Sequence, residues 1–261
     1  MMKGAYIIYL FLVAFCFSAC EKVIDLNLKD SEPLLVIEGN ISDLEPVSEV
    51  LLSETFPFSS LEEKVPVSGA VVTLQEDNNG PKQLQEIESG RYVLNNSQGK
   101  PGSTYYLSVS VNGKNYEATS TMPQPVELDS VGTISTNVFS EVIKSTAVIY
   151  NDPINVKNYY RFKVKINDVE NNTYWVFNDR FSDGKTVTQT LNDFSNNKIY
   201  AGDSITVEMQ CLDLASYSFW NSLGNQSLGA SVPSNPVSNI SNGSLGYFSA
   251  HTVSYTSFEA K

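Results

Sequence analysis

Tyr159-Tyr-Arg-Phe-Lys-Val-Lys-Ile166 is the stretch of this 261-residue chain that decides its fold class. From Tyr160 onward, apolar side chains alternate with charged ones. Successive side chains of a strand point to opposite faces, so one face of this segment is apolar and the other is solvated. Half-buried strands of this kind are typical of antiparallel sandwiches with one wet face per sheet.

The same alternation recurs in residues 70–75, 105–111 and 205–211. Turn signals separate the apolar segments, because glycine and asparagine accept the positive φ that tight hairpins require. These signals are Asn79-Gly80-Pro81, Asn112-Gly113 and Asp183-Gly184. The pattern predicts an all-β chain.

One segment has helical rather than strand periodicity. Asp213 is a candidate N-cap, and Gly224 is predicted to end the helix. The side chains that recur on one helical face between them are Leu214, Tyr217, Trp220 and Leu223. We therefore predict a single helix, near residues 213–223, inserted into the β structure.

A domain boundary is predicted at Met122-Pro123-Gln124-Pro125, since alternate prolines make poor strand interior and good linker. The segment before it, residues 34–122, has the spacing of an immunoglobulin-like or prealbumin-like sandwich. The segment after it, residues 126–261, is expected to form a second β-sandwich-like domain that contains the inserted helix.

The N-terminus has the pattern of an export signal. Lys3 precedes an apolar run over residues 6–17, which at 12 residues is shorter than the roughly 20 that span a bilayer as a helix. Phe17-Ser18-Ala19-Cys20 follows and is similar to a bacterial lipobox. We predict a signal peptide at residues 1–19, diacylglyceryl lipidation at Cys20, and a lipidated tether at residues 20–33. The alternative is an ordinary signal peptide whose cleavage site abuts a cysteine.

The net charge of −12 argues against nucleic acid as a partner and against electrostatic adhesion to anionic lipid. The predicted membrane contact is the N-terminal lipid alone.

Of the three cysteines, Cys16 lies in the signal peptide and Cys20 is assigned to the lipid. Cys211 is then left without a partner for an intrachain disulfide, and its place on an apolar strand face predicts a buried, unreactive thiol.

No motif in the sequence points to an enzyme. His251 is the chain's one histidine, so a Ser-His-Asp hydrolase would have to use it, yet no Gly-x-Ser-x-Gly elbow is present. We interpret His251 as an ordinary strand or edge residue and expect no catalytic residue and no cofactor.

Metal motifs are absent as well, since the sequence has neither a His-x-x-x-His nor a cysteine pair. Residues 76–80, Glu-Asp-Asn-Asn-Gly, offer oxygen ligands for calcium, but the same residues make a normal solvated hairpin tip. No metal site is predicted.

Three pairs of adjacent aromatic residues, Tyr159-Tyr160, Tyr174-Trp175 and Phe219-Trp220, place neighbouring rings on opposite faces. One ring of each pair is then free to be exposed, which suits sugar stacking or a protein partner. The alternative is that the rings fill a second core.

Several stretches resemble an uncharacterised Bacteroidota outer-membrane lipoprotein family, a domain of unknown function. They are Cys20-Glu-Lys-Val-Ile-Asp-Leu-Asn-Leu28, Leu34-Leu-Val-Ile-Glu-Gly-Asn-Ile-Ser42, Gly69-Ala-Val-Val-Thr-Leu74, Gly90-Arg-Tyr92 and Asn239-Ile-Ser-Asn-Gly-Ser-Leu-Gly-Tyr-Phe-Ser-Ala250. These motifs are structural and carry no chemistry. Gly246-Tyr247-Phe248 is interpreted as a packing turn, with the glycine for close backbone approach and the rings for the core.

The resemblance implies an outer-membrane lipoprotein, often encoded beside TonB-dependent receptors with carboxypeptidase-like plug extensions. It therefore implies a non-enzymatic accessory of a TonB-dependent importer, on either the periplasmic or the cell-surface face. A surface glycan-binding or adhesive module is the alternative.

Two serines fit a three-residue pattern associated with periplasmic O-glycosylation in that phylum, namely Asp, then Ser or Thr, then a small or apolar residue. They are Ser130 in Asp129-Ser130-Val131 and Ser204 in Asp203-Ser204-Ile205. Both are predicted to lie where a loop exposes the hydroxyl.

Overall fold

Strands dominate the computed structural model, which describes residues 33–56, 64–138, 141–193, 198–227 and 234–261. Over these ranges the chain forms strands in three sheets and one helix, and Pro33–Lys261 is a single compact unit. The strands before the predicted linker are β1 (Leu35–Ser42), β2 (Val47–Glu54), β3 (Val65–Pro66), β4 (Val71–Glu76), β5 (Lys82–Gln83), β6 (Gln85–Glu88), β7 (Arg91–Asn95), β8 (Thr104–Val111) and β9 (Lys114–Thr121). The elements after it are β10 (Leu128–Val138), β11 (Glu141–Asn151), β12 (Tyr159–Ile166), β13 (Val169–Glu170), β14 (Trp175–Asn178), β15 (Thr186–Leu191), β16 (Ser204–Leu212), α1 (Leu214–Ser227) and β17 (Leu245–Glu259).

A ten-stranded sheet runs through both halves of the chain in the order β13-β12-β16-β17-β1-β2-β7-β6, with β14 paired to β12 and β3 paired to β2. A four-stranded sheet, β5-β4-β8-β9, shares one hydrophobic core with β1, β2 and β7. A three-stranded sheet, β10-β11-β15, shares a second core with β12 and β16. Each small sheet thus forms a sandwich with part of the large one, and the predicted all-β sandwich fold with one inserted helix is confirmed.

The last strand joins the two sandwiches. The first part of β17 pairs in parallel with β1, from Val36↔Leu245 to Ser42↔His251. Its second part pairs antiparallel with β16, from Cys211↔Thr252 to Ser204↔Glu259. Residues from the C-terminal end of the chain therefore complete the N-terminal sandwich, and Phe248 is fully buried in the first core.

The period-two pattern predicts the buried faces correctly. Tyr160, Phe162 and Val164 of β12 are almost fully buried in the second core. In the first sandwich, Asn112 and Gly113 both adopt positive φ (51° and 73°) in the turn that joins β8 to β9, as their sequence predicts.

The helix begins as predicted but ends later. Asp213 Oδ1 accepts a hydrogen bond from the backbone N–H of Ser216 at 2.8 Å, which is the geometry of an N-cap. The prediction that Gly224 ends the helix is wrong, because α1 continues to Ser227. Gly224 instead allows a close approach to β14, since a Cβ at this position would lie 3.3 Å from the Cβ of Tyr174.

Gly246-Tyr247-Phe248 lies inside strand β17, so the prediction of a turn is wrong. The predicted roles of its side chains are correct. A Cβ on Gly246 would lie 2.0 Å from the carbonyl oxygen of Ile37, and both rings are buried. The parallel pairing with β1 positions this close contact, and the sequence gives no sign of that pairing.

The described part of the chain has no helix that is both long and apolar enough to cross a bilayer. The predicted signal peptide, the predicted lipidation site at Cys20 and most of the predicted tether lie outside the described residues.

Candidate functional site

The two serines predicted to carry glycans both have exposed positions. Ser130 lies near the start of β10, next to a register shift against β11, and Ser204 is the first residue of β16. The adjacent Asp203 accepts hydrogen bonds from the backbone of Tyr200 and the side chain of Asn167, which lower the pKa of its carboxyl. Modification of either serine stays a prediction.

His251 is buried in the middle of β17 rather than placed at a cleft, with only 5% of its surface exposed. Its Nδ1 lies 3.2 Å from Ser249 Oγ, and its Nε2 lies 3.3 Å from the side-chain amide of Gln210. Burial lowers the pKa of His251 to about 3, and the positive charges of Arg161 and Lys163 act in the same direction. The imidazole is therefore neutral at physiological pH, and a neutral, enclosed ring is poorly placed to exchange protons with a substrate.

Cys211 is buried on the apolar face of β16 together with Ile205, Val207 and Met209, as the alternation predicts. Burial raises the pKa of the Cys211 thiol to about 11. Because the thiolate is the reactive form, this thiol is unreactive at neutral pH in the folded chain.

The buried rings of the aromatic pairs are divided between a core beneath the helix and the core of the second sandwich. Phe219, Trp220 and Tyr247 stack on one another with ring centroids 4.7–5.1 Å apart. Of the three predicted pairs, Tyr160, Trp175 and both helical rings are buried, so the interpretation as a second core holds for these rings. Tyr174 remains 36% exposed, as the pairing pattern predicts for one ring of a pair.

A cation lies against this aromatic core. The guanidinium carbon of Arg161 sits 3.5 Å from the ring centre of Trp220, and its Nη1 donates to Gln210 Oε1 at 3.2 Å. Burial lowers the pKa of Arg161, while nearby Tyr247 and Glu208 act in the opposite direction. The contact with the π face of Trp220 stabilises a charge that has left bulk water, so Arg161 holds α1 against β12.

Beside the aromatic core is a groove of about 330 Å³ between β14, β15 and α1. Its aromatic side chains are Tyr174, Trp175 and Phe177, and its amides and hydroxyls come from Thr173, Gln189, Thr190, Asn192, Asn221 and Asn225. The Tyr174 ring packs on Trp220 with centroids 5.8 Å apart, which fixes its orientation. A fixed aromatic face surrounded by amides and hydroxyls suits a polyhydroxylated ligand.

A larger groove of about 850 Å³ lies in the first sandwich and includes Glu76, Lys100 and Tyr105. Of its three charged residues, Glu76 and Lys100 are paired with each other, while Lys82 is exposed. Lys100 Nζ lies 2.9 Å from Glu76 Oε1, and Tyr105 Oη accepts a hydrogen bond from the backbone of Lys100 at 2.8 Å. The pairing of Glu76 with Lys100 occupies two of the three charged side chains in this lining.

The family model of a domain of unknown function, DUF4249, matches residues 21–257. The chain belongs to this family. The expectation of an uncharacterised family is thereby confirmed, while the Bacteroidota source and the importer context stay predictions.

No curated protein matches this DUF4249 chain. Among solved structures, it is similar to the adhesin InvE of Yersinia pseudotuberculosis, with 20% identity and a TM-score of 0.22 over 68% of this chain and 55% of the adhesin. It is also similar to the chicken interferon gamma receptor alpha chain, with 8% identity and a TM-score of 0.21 over 69% of this chain and 90% of the receptor chain. The chain thus spans about half the length of the adhesin structure.

The sequence pattern indicates Tyr174 as a candidate exposed ring but does not indicate the groove around it. The amides come from β15 and α1, which are separated in sequence from β14. The enrichment in asparagine and aromatic residues after the predicted linker was the available signal, but composition does not place side chains on one surface.

Proposed function

We propose that this DUF4249 chain is a non-enzymatic, lipid-anchored outer-membrane protein that acts as a binding accessory of a TonB-dependent importer. The observation that carries the proposal is the distribution of side chains. His251 and Cys211, the residues best suited to chemistry, are packed inside the sheets, whereas large apolar side chains are exposed on two adjoining loops.

These two loops are residues 152–158, between β11 and β12, and residues 179–185, between β14 and β15. The exposed fractions are 68% for Ile154, 49% for Val156 and 82% for Phe181. The loops are joined to each other, because the backbone N–H of Asn155 donates to Asp183 Oδ1 at 2.8 Å. Joined loops that expose apolar side chains to water suit a protein partner.

The proposal is tested by affinity capture of the full chain from mild-detergent extracts of its native membranes. We expect a TonB-dependent receptor to be enriched with the wild type and reduced at least tenfold with an Ile154→Ser/Phe181→Ser variant. Ile87→Ser is the matched control, since Ile87 is 52% exposed on β6 at the opposite end of the large sheet. Capture of no receptor by the wild type, or equal capture by all three proteins, would refute the proposed role.

The groove beside Tyr174 favours a second candidate function, a surface glycan-binding module. The full chain is applied to a glycan array together with Tyr174→Ala and a control, Tyr255→Ala, whose ring is 60% exposed on β17. Loss of binding in Tyr174→Ala alone supports this candidate, since one stacked aromatic contributes roughly 0.5–1.5 kcal/mol or about 2- to 13-fold in Kd. Absence of binding by the wild type excludes the glycans on the array.

A further inference from the structure

Three carboxylates meet between the loops of the second sandwich. Asp152 follows β11, while Asp179 and Asp183 follow β14. One carboxylate oxygen from each of the three lies within 4.8 Å of the others. None of the ion pairs found among the described residues involves these three carboxylates.

The second observation is a buried oxygen without a partner. Asp152 is only 4% exposed, and its Oδ1 accepts a hydrogen bond from the Tyr160 hydroxyl. Its Oδ2 is buried and has no hydrogen-bond partner. A buried carboxylate oxygen that lacks a donor is costly, and two further acidic groups beside it increase that cost.

The protein positions these carboxylates rather than leaving them free. Asp179 Oδ2 accepts the backbone N–H of Asn158 at 2.8 Å, and Asp183 Oδ1 accepts that of Asn155 at the same distance. Asn155 adopts a positive φ of 60°. Burial and the charges of Asp179 and Asp183 raise the pKa of Asp152, while the hydrogen bond from Tyr160 and the nearby Asn158 amide lower it.

We propose that Asp152, Asp179 and Asp183 form a binding site for a calcium ion that links the two loops. An all-oxygen ligand set selects a hard cation over zinc or copper. Calcium–oxygen bonds of about 2.3–2.6 Å place opposite ligands about 4.6–5.2 Å apart, which accommodates the spacing of these oxygens. The ion supplies the positive partner that Asp152 Oδ2 lacks, and backbone carbonyls and water complete its coordination.

This site does not depend on the proposed function. It differs from the sequence prediction of no metal site, because its ligands come from two separate loops rather than from one calcium-binding motif. It also differs from the acidic turn at residues 76–80, where Asp77 Oδ1 already accepts the backbone N–H of Thr104 at 2.8 Å.

Calcium titration of the metal-stripped full chain tests the site. We expect one ion per chain by calorimetry and a rise in Tm of about 3–6 °C at ten times the Kd. Terbium should give luminescence sensitised by Tyr160, whose hydroxyl bonds to Asp152, and calcium should displace it. Absence of calcium binding up to 10 mM, or an equal response to magnesium, would overturn the assignment.

Three isosteric variants locate the ion. Asp152→Asn and Asp179→Asn should each weaken calcium binding at least tenfold, whereas Asp77→Asn should bind as the wild type does. Asp152→Asn should unfold in chelator at the same Tm as the metal-stripped wild type or higher, because it removes like-charge repulsion. That comparison separates loss of the site from failure to fold. A loss confined to Asp77→Asn would move the site to the first sandwich and refute the proposal.

Discussion

Gly246 lies against the backbone of Ile37, so that a Cβ on Gly246 would fall 2.0 Å from the Ile37 carbonyl oxygen. The two residues are register partners in the parallel pairing of β17 with β1. Gly246 also has a φ of +96°, where a side chain is strained whatever space surrounds it. This contact is where the C-terminal strand enters the N-terminal sandwich.

Gly246→Ala is expected to destabilise the fold by about 3 kcal/mol or more, because overpacking and backbone strain act together. The measurement is the free energy of unfolding in urea. Gly132→Ala is the control, since a Cβ there meets nothing within 4 Å. If both variants lose the same stability, the close contact with Ile37 is not the cause.

Asp213 caps the helix and also holds it to β9. Its Oδ2 accepts the Ser120 hydroxyl at 2.7 Å and the Thr121 backbone N–H at 3.2 Å. Asp213→Ala should cost about 2–3 kcal/mol, the sum of a lost cap and unsatisfied donors. A double-mutant cycle with Ser120→Ala should give a coupling energy of about 1 kcal/mol. A coupling near zero would show that the Ser120 hydroxyl contributes nothing to the stabilising role of Asp213.

His251 should make stability depend on pH. Its folded pKa of about 3 lies below the unfolded value of about 6.5, so the unfolded chain binds the extra proton between these values. The contribution of the neutral His251 to the free energy of unfolding is therefore fully present above pH 6.5 and is lost as the pH falls toward 3. The loss is no more than about 1.4 kcal/mol per pH unit. Urea unfolding of the wild type and His251→Asn across this window measures the difference. Parallel pH profiles for the two proteins would contradict the buried, neutral imidazole.

Cys211 should react slowly with a soluble alkylating reagent in the folded chain and rapidly in denaturant. Burial keeps the reagent away from the Cys211 sulfur, and the raised pKa of about 11 lowers the fraction of the thiol that is ionised at neutral pH. The rate is followed by mass spectrometry of the peptide that contains Cys211. Equal rates in the two conditions would show that this face of β16 opens in the native state.

Cys20→Ala should block lipidation and release the chain from membranes, or leave it unprocessed. Membrane fractionation and detergent extraction measure the outcome, with Cys211→Ala as the control that keeps its lipid. A Cys20→Ala protein that still resists extraction from membranes would refute the lipobox assignment.

The sequence by itself determined the local features of this protein. Alternation in residues such as Tyr160, Phe162 and Val164 predicted strands and their buried faces, because the period of two is a property of the backbone. Asn112-Gly113 predicted a hairpin turn, and Asp213 predicted a helix start, because each depends on groups only a few residues apart.

Only the tertiary structure decided which distant segments meet. The pairing of β17 with β1, the groove beside Tyr174 and the carboxylates of Asp152, Asp179 and Asp183 all join residues from separate elements. Gly224 was predicted to end a helix, but the helix continues because packing against Tyr174 overrides the local preference. Contacts of this kind depend on how whole sheets pack, and neither spacing nor composition along one segment encodes that arrangement.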